Sequence, residues 1–542
     1  MKVLFLLTTV GCKVHAHHPT GFLSAVLKQG GHQTDYIELE RMDLRLLDAK
    51  IEAYQPGILA VSTVMQQFGH VQTCINHVKA KYPHIKIVLG GTHPILKPDC
   101  IEEIEGLDAL CVSEGEMPLL QYVNAIEGGR DPYTIPSMRF RVDGQILATP
   151  NTYAVTEQDL AVLPMQDRMV FPRFRDADRS QPLPFRPRVL WGRGCPFACS
   201  YCAVPSIKKA MRGAMTASNA KWVRYPPVER AIEEVEHMLD RWKFRTYVID
   251  DDVLTTHKDW VLKLASKYPE RLKRSVTFEC NLRVETIDRE TMRALKDMGC
   301  VLLKFGLENG AYEMRKKILR RPITDEQIKQ VFSWAHEVGI PAHTFNMVGV
   351  PGETRETIWK TITLNRAIRP ARVQISIFFP YYGTPLGDEA RAKQLVVTET
   401  ASYFSGASVK LDTISSREIE RYADWFKFLV YAAYDRKLAW AELRQKGRRL
   451  VNNVKGELKA RIPLLKQVAL ARRRLQVETL GADGEQPEVL EQYDIEDVDQ
   501  NVMDLNESAE ISPEHGVEHP VLDASSAVQI ERPSQSKGTK PA

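Results

Sequence analysis

Apolar and polar positions follow two rhythms over the first 125 residues. Residues 3–7 are a continuous apolar run and 58–62, 85–89 and 109–112 are largely apolar segments, all the length of buried strands, whereas 20–29 and 71–81 read as helices. Polar or glycine-rich punctuation follows the runs, as at Gly90-Gly91 and at Ser113 to Glu116. Strands that alternate with helices predict a parallel, doubly wound sheet, and such sheets bind ligands at the carboxyl ends of their strands. A second series begins at 188–191 and continues with apolar runs at 246–249, 276–279, 302–307, 343–348 and 373–379, with helical patterns between them such as 325–338. Six strands at βα spacing predict a partial (β/α)6 barrel of the TIM type.

The segments divide the chain into an N-terminal α/β domain (1–140), a Pro-, Arg- and Asp-rich linker (141–184), the barrel (185–389), a helical C-terminal region (390–476) and a tail (477–542). No apolar run approaches the roughly 20 residues that cross a bilayer. The apolar start reaches Gly11 and Cys12 without an A-x-A-like cleavage site, so it reads as a buried first strand and places the protein in the cytoplasm. Charge is distributed unevenly. Residues 478–542 hold 16 acidic and 3 basic side chains, net −13, while the chain as a whole is +4, which leaves +17 on the rest. Low hydrophobicity and high negative charge predict a disordered acidic tail. The stretch 455–474 mixes cations with Ile462, Leu464, Leu465, Val468 and Leu470, and reads as a basic helix suited to peripheral contact with an anionic membrane.

Cysteine is the residue that adds chemistry. Nine cysteines are scattered except for Cys195, Cys199 and Cys202, which share one loop, Gly192-Arg-Gly-Cys-Pro-Phe-Ala-Cys-Ser-Tyr-Cys202, directly after the first barrel strand. Three thiolates at Cys-x3-Cys-x2-Cys spacing can hold three irons of a [4Fe–4S] cluster and leave the fourth open. A structural zinc would want a fourth ligand, and no further Cys or His lies in the loop. This loop, with the aromatic Tyr201 before its last cysteine, resembles the signature of the radical S-adenosylmethionine (SAM) superfamily. Val248-Ile-Asp-Asp-Asp-Val253, Glu279-Cys-Asn-Leu-Arg283, Phe305-Gly-Leu-Glu-Asn309 and Met347-Val-Gly-Val-Pro-Gly-Glu-Thr354 follow in the order of that family's strand-end motifs. The resemblance implies that the open iron chelates SAM, that one-electron reduction cleaves it, and that Tyr201, Asp250, Asp251, Arg283 and Glu308 contact it. It also implies an electron donor such as a flavodoxin or ferredoxin.

The N-terminal domain is similar to cobalamin domains of the methionine synthase type, which carry Asp-x-His-x-x-Gly, then Ser-x-Leu, then Gly-Gly. Here the matching residues are Ala16-His17-His18-Pro-Thr-Gly21, Ser62-Thr63-Val64 and Gly90-Gly91. The acid that would orient the histidine is replaced by Ala16. A ligating imidazole needs an acceptor for its other nitrogen, so His18 is expected to ligate cobalt weakly or not at all. Thr92-His93 and Glu114-Gly115-Glu116 fit features of cobalamin-binding radical SAM proteins. The resemblance therefore implies a cobalamin site at His18, Gly21, Ser62, Thr63, Gly90, Gly91, Thr92, His93, Glu114 and Gly115, on a Rossmann-like domain ahead of a radical SAM barrel.

Together these readings point to a cobalamin-dependent radical SAM enzyme that methylates an unactivated carbon of a small-molecule or lipid-like substrate, with no nucleic acid partner. Three rivals share parts of the pattern. Relatives with the same domains perform ring closure or rearrangement. The tRNA methylthiotransferases share Thr9-Val-Gly-Cys12 and Cys199-Ser-Tyr-Cys-Ala-Val-Pro205, but hold a second cluster on three cysteines, of which this chain has only Cys12. A corrinoid-binding sensor without catalysis would need no intact cysteine loop.

Overall fold

The computed structural model describes residues 1–11, 17–398 and 406–448. The basic stretch 455–474, the acidic tail and Cys12 lie outside the described residues. Residues 1–450 form one compact unit.

The first sheet has seven strands in the order β2-β1-β3-β4-β5-β6-β7: β1 (Lys2–Thr8), β2 (Gln33–Leu39), β3 (Ile58–Ser62), β4 (Lys86–Gly90), β5 (Ala109–Cys111), β6 (Met138–Val142) and β7 (Gln145–Ala148). The first five run parallel and the last two join antiparallel. Leu4, Leu6, Leu59 and Leu89 are fully covered because parallel strands carry helices on both faces. Each such side chain contributes about 1.5–3 kcal/mol relative to exposure. Chain order reverses between β1 and β3, which opens a crevice at their carboxyl ends.

Two features depart from the sequence-based expectation. Strand β2, Gln-Thr-Asp-Tyr-Ile-Glu-Leu, has no counterpart among the predicted elements because it lies at the sheet edge, opens with three polar residues and lacks a continuous apolar run. The domain also extends past residue 140, because β6 and β7 form a hairpin that continues its sheet. The turn is Asp143-Gly144, with φ of 49° and 79°, the backbone that a two-residue hairpin turn demands. Asp-Gly between short alternating segments was a readable signal for it.

The second sheet is entirely parallel, in the order β13-β12-β11-β10-β9-β8. Its strands are β8 (Arg188–Val189), β9 (Thr246–Ile249), β10 (Thr277–Leu282), β11 (Cys300–Glu308), β12 (Ala342–Val348) and β13 (Arg372–Ile377). Helices cover its outer face. Asp325–Val338 shows why they form: Thr324 caps it, Gln327 completes a capping box, and Gly339 at φ 73° ends it. After the barrel, helices Pro385–Ala392 and Ser416–Tyr431 close one side through Ile419, Phe426 and Val430. No described helix is long and apolar enough to cross a membrane.

Candidate active site between the two sheets

The cysteine loop leaves β8 and is held from three directions. Asp251, at the end of β9, accepts the amide protons of Trp191 (2.8 Å) and Gly192 (2.9 Å). A Cβ at Gly192 would fall 2.7 Å from that carboxylate, so only glycine fits. Burial pushes the Asp251 carboxyl up to about 7. The Trp222 indole donates to the Cys195 carbonyl (2.8 Å), and Ser200 binds the main chain of Ile318 and Leu319. Ile318 ends, and Leu319 caps, a single π-helical turn, Met314–Ile318, of a kind that often marks functional positions.

Cys199 is buried, and Cys195 and Cys202 are half-buried. Burial raises the Cys195 thiol, and it pushes the Cys202 thiol up to about 12, with the neighbouring cysteines adding to both shifts. Arg283 donates to the Cys199 sulfur (2.9 Å), with its guanidinium 3.7 Å from the centre of the Phe197 ring. Soft sulfur donors beside a fixed cation suit an anionic iron–sulfur cluster. Among the described residues no three His, Cys, Asp or Glu side chains converge on a single ion.

A second group lies across the barrel mouth. Arg321, 3% exposed, donates to the Tyr201 hydroxyl (3.1 Å) and to the Gly306 carbonyl (2.6 Å), and approaches Glu308 at 3.6 Å. Its Nε is buried with no hydrogen-bond partner among the described residues. Burial raises Glu308 against the pull of Arg321. The structure thus brings Tyr201, Arg283 and Glu308 to one end of the barrel and adds Arg321, which no spacing rule singles out. Glu353 of the Pro-Gly-Glu segment accepts from the Gly349 and Val350 amides and from Asn309, and serves to join two loops.

The three consecutive aspartates take different directions. Asp250 is paired with Arg188 and with His18, and Asp251 holds the loop as described. Asp252, not singled out from the sequence, is the one that lines a cavity between the two sheets, and burial raises its carboxyl.

That cavity, about 360 Å³, lies between the carboxyl edge of the first sheet and the cysteine loop of the second. Ser62, Gly90, Gly91, Thr92, Glu114 and Gly115 line it from one side, and Gly192, Arg193, Gly194, Trp222 and Asp252 from the other. Apolar Phe5, Val88, Ile95, Ile207 and Met211 make up much of the remaining wall. The crevice at the topological switch point, backed by two glycines, fits the edge of a corrinoid. His18, Gly21, Thr63 and His93 do not line it. His18 is held at both nitrogens, by Gln166 (3.0 Å) and Asp250 (3.0 Å), so the acceptor missing at residue 16 is supplied by the other domain and the ring faces the interface. Gly21 packs against Gln166, and Thr63 donates to the Val64 carbonyl. His93 packs its ring on Phe68. Glu114 and Glu116 bind Arg193, and Glu114 also binds Arg224. Burial opposes ionisation of Glu114, yet Arg193 and Arg224 hold it below the usual carboxylate range.

Known families divide the chain at the same places. The B12 binding domain profile matches residues 7–123, and the Radical SAM superfamily profile matches residues 189–364. The chain is therefore a radical SAM protein with an N-terminal cobalamin-binding domain, and its cofactors are a [4Fe–4S] cluster, SAM and cobalamin. It is 24% identical over 380 residues to an uncharacterized methyltransferase of Pyrococcus horikoshii, covering 70% of this chain and 79% of that one. It is 23% identical over 451 residues to the anaerobic magnesium-protoporphyrin IX monomethyl ester cyclase of Rubrivivax gelatinosus, covering 77% and 75%. In fold it is similar to the radical SAM methyltransferase TsrM of Kitasatospora setae solved with cobalamin and a [4Fe–4S] cluster, with TM-score 0.59, 18% identity and coverage of 75% and 80%. Where a methylthiotransferase would need two more cluster cysteines, the strand ends present Ser62-Thr63 and Gly90-Gly91.

Proposed function

We propose that this protein is a cobalamin-dependent radical SAM methyltransferase that places a methyl group on an unactivated carbon of a small-molecule or lipid-like substrate. One observation carries the reading: the carboxyl edge of the cobalamin domain and the cysteine loop of the barrel open into the same cavity. When bound, the cluster and SAM supply a radical able to remove hydrogen from carbon, and the corrinoid carries the methyl group.

The chain's own residues position and shield. Cys195, Cys199 and Cys202 hold the cluster, and Arg283 offsets its negative charge. The Asp252 carboxylate suits the ammonium end of SAM, and Tyr201, Glu308 and Arg321 form a polar wall for its other end. Ser62, Gly90, Gly91 and Thr92 seat the corrinoid. Apolar side chains in the shared cavity exclude water, which limits quenching of a reactive carbon. Asp250 and His18 act between the domains and not on a cofactor.

The test is anaerobic incubation of the reconstituted protein, a one-electron donor and methyl-deuterated SAM with extracts of small molecules. Methyl transfer adds the labelled methyl mass to a product and releases both S-adenosylhomocysteine and 5′-deoxyadenosine. The relative named as a cyclase favours one second reading, ring closure with the same cofactors. In that case 5′-deoxyadenosine forms and the product carries no label.

A further inference from the structure

The cysteine loop meets the cobalamin domain at a charged junction. Arg193, two residues before Cys195, donates from Nη1 to Glu114 (2.9 Å) and from Nη2 to Glu116 (2.6 Å), both just beyond β5 of the first sheet. Its guanidinium lies 5.2 Å from the centre of the Phe22 ring. Arg224, 1% exposed, donates to the same Glu114 oxygen and to the carbonyls of Lys221 (3.1 Å) and Trp222 (3.0 Å). The main chains of Arg193 and Arg224 exchange two hydrogen bonds (2.9 and 3.1 Å), and the Trp222 indole holds the Cys195 carbonyl. At Gly194, with φ +83°, a Cβ would sit 2.2 Å from the Trp222 carbonyl, so the loop is pressed directly onto this support.

All four charged side chains border the shared cavity. Two guanidinium groups meet two carboxylates, so the junction is neutral as a whole and each charge needs the others in a site with little water. Planar guanidinium groups with forked donors fix direction as well as distance, which an ammonium cannot do. The Glu114 carboxylate also accepts the Val155 amide (2.7 Å), which ties the junction to the connection between the domains.

We infer that the Glu114, Glu116, Arg193 and Arg224 junction sets the separation between the corrinoid slot and the cluster, with Arg193 as its positioning residue. This rests on both cofactors being bound and is independent of whether methyl transfer or ring closure follows. Ser113-Glu-Gly-Glu116 on one domain and Gly192-Arg-Gly194 on the other thereby act as two halves of one spacer, and neither needs to touch the cofactors' reacting atoms.

The experiment compares wild-type protein with Arg193→Lys, Arg224→Lys and Glu116→Gln, each loaded anaerobically with hydroxocobalamin, iron and sulfide and then reduced with dithionite. Metal analysis gives cobalt and iron content. Microwave power saturation of the cob(II)alamin signal reports its magnetic relaxation by the nearby reduced cluster, which depends steeply on their separation and not on stability. The variants should keep their cobalt and iron, while the half-saturation power changes measurably, because dipolar relaxation falls steeply with separation. Wild-type saturation in all three at full metal content overturns the inference. Loss of cobalt or iron from all three overturns it as well, since the junction would then hold a cofactor and not a distance.

Discussion

Adjacent glycines at the end of β4 should respond in opposite ways to the same substitution. At Gly91 the backbone has φ +105°, a region that side chains with a Cβ rarely enter, and an added Cβ would lie 2.5 Å from the Thr63 carbonyl oxygen, 2.8 Å from its amide nitrogen and 3.0 Å from the Ser62 hydroxyl. Two of these neighbours are main chain and cannot swing aside. The strained φ costs about 1–2 kcal/mol and the overlap about 1–3 kcal/mol more, so Gly91→Ala should destabilise the apo-protein by about 2–5 kcal/mol. For a domain of this size that is a fall of roughly 5–15 °C in melting temperature. At Gly90 a Cβ meets only the Cys111 Cβ, at 3.8 Å, in ordinary contact. Gly90→Ala should therefore leave apo stability unchanged or raise it by up to about 1 kcal/mol. Because Gly90 lines the cavity, its new methyl group should weaken cobalamin uptake by roughly ten- to a hundredfold, equivalent to about 1–3 kcal/mol of overpacking. Thermal melts of the cofactor-free proteins and a cobalamin titration followed by visible absorbance measure both effects. Gly91→Ala melting with the wild type, or Gly90→Ala losing more stability than Gly91→Ala, would refute the reading that the main chain demands glycine at 91 while only the slot demands it at 90.

Four further outcomes follow from the site. Replacing Cys195, Cys199 or Cys202 by Ala should abolish binding of about four irons and four sulfides. In the wild type, iron uptake should release protons and strengthen from pH 7 to pH 9, because thiols with raised pKa must ionise to ligate; potentiometric titration would expose a pH-independent uptake. His18→Ala should retain most cobalamin, with no nitrogen superhyperfine splitting from a protein imidazole in the wild-type cob(II) spectrum, since both ring nitrogens are engaged away from the cavity. Seeing that splitting would place His18 on cobalt. Burial pushes Glu353 from its ordinary value up to about 8, so between about pH 5 and pH 8 the folded state binds the extra proton and stability falls as pH rises. Glu353→Gln should flatten that slope in denaturant unfolding monitored across the range, and an unchanged slope would reject burial as its source.

Local chemistry was legible in the chain without coordinates. Three cysteines on one loop bring iron chemistry with them because their spacing is covalent, and Gly91 behind β4 marks a close backbone approach because a Cβ there would meet main chain. Alternating strand and helix patterns were enough to predict two parallel sheets, although the polar edge strand β2 and the Asp143-Gly144 hairpin escaped a search for continuous apolar runs. The distribution of roles among neighbours was decided only by tertiary structure. In the run Asp250-Asp251-Asp252 each carboxylate differs in nothing but direction, and the fold sends one to Arg188 and His18, one to the loop amides and one into the cavity. Arg193 meets Glu116 across 77 residues, and Arg321 meets Tyr201 across 120, pairings with no local pattern to betray them. His18 shows the same limit from the other side: the acid absent at residue 16 is replaced by Asp250, 232 residues away, and this turns the imidazole towards the interface instead of the slot. Hydrogen bonds and ion pairs depend on angle and distance in space, whereas a sequence records only order.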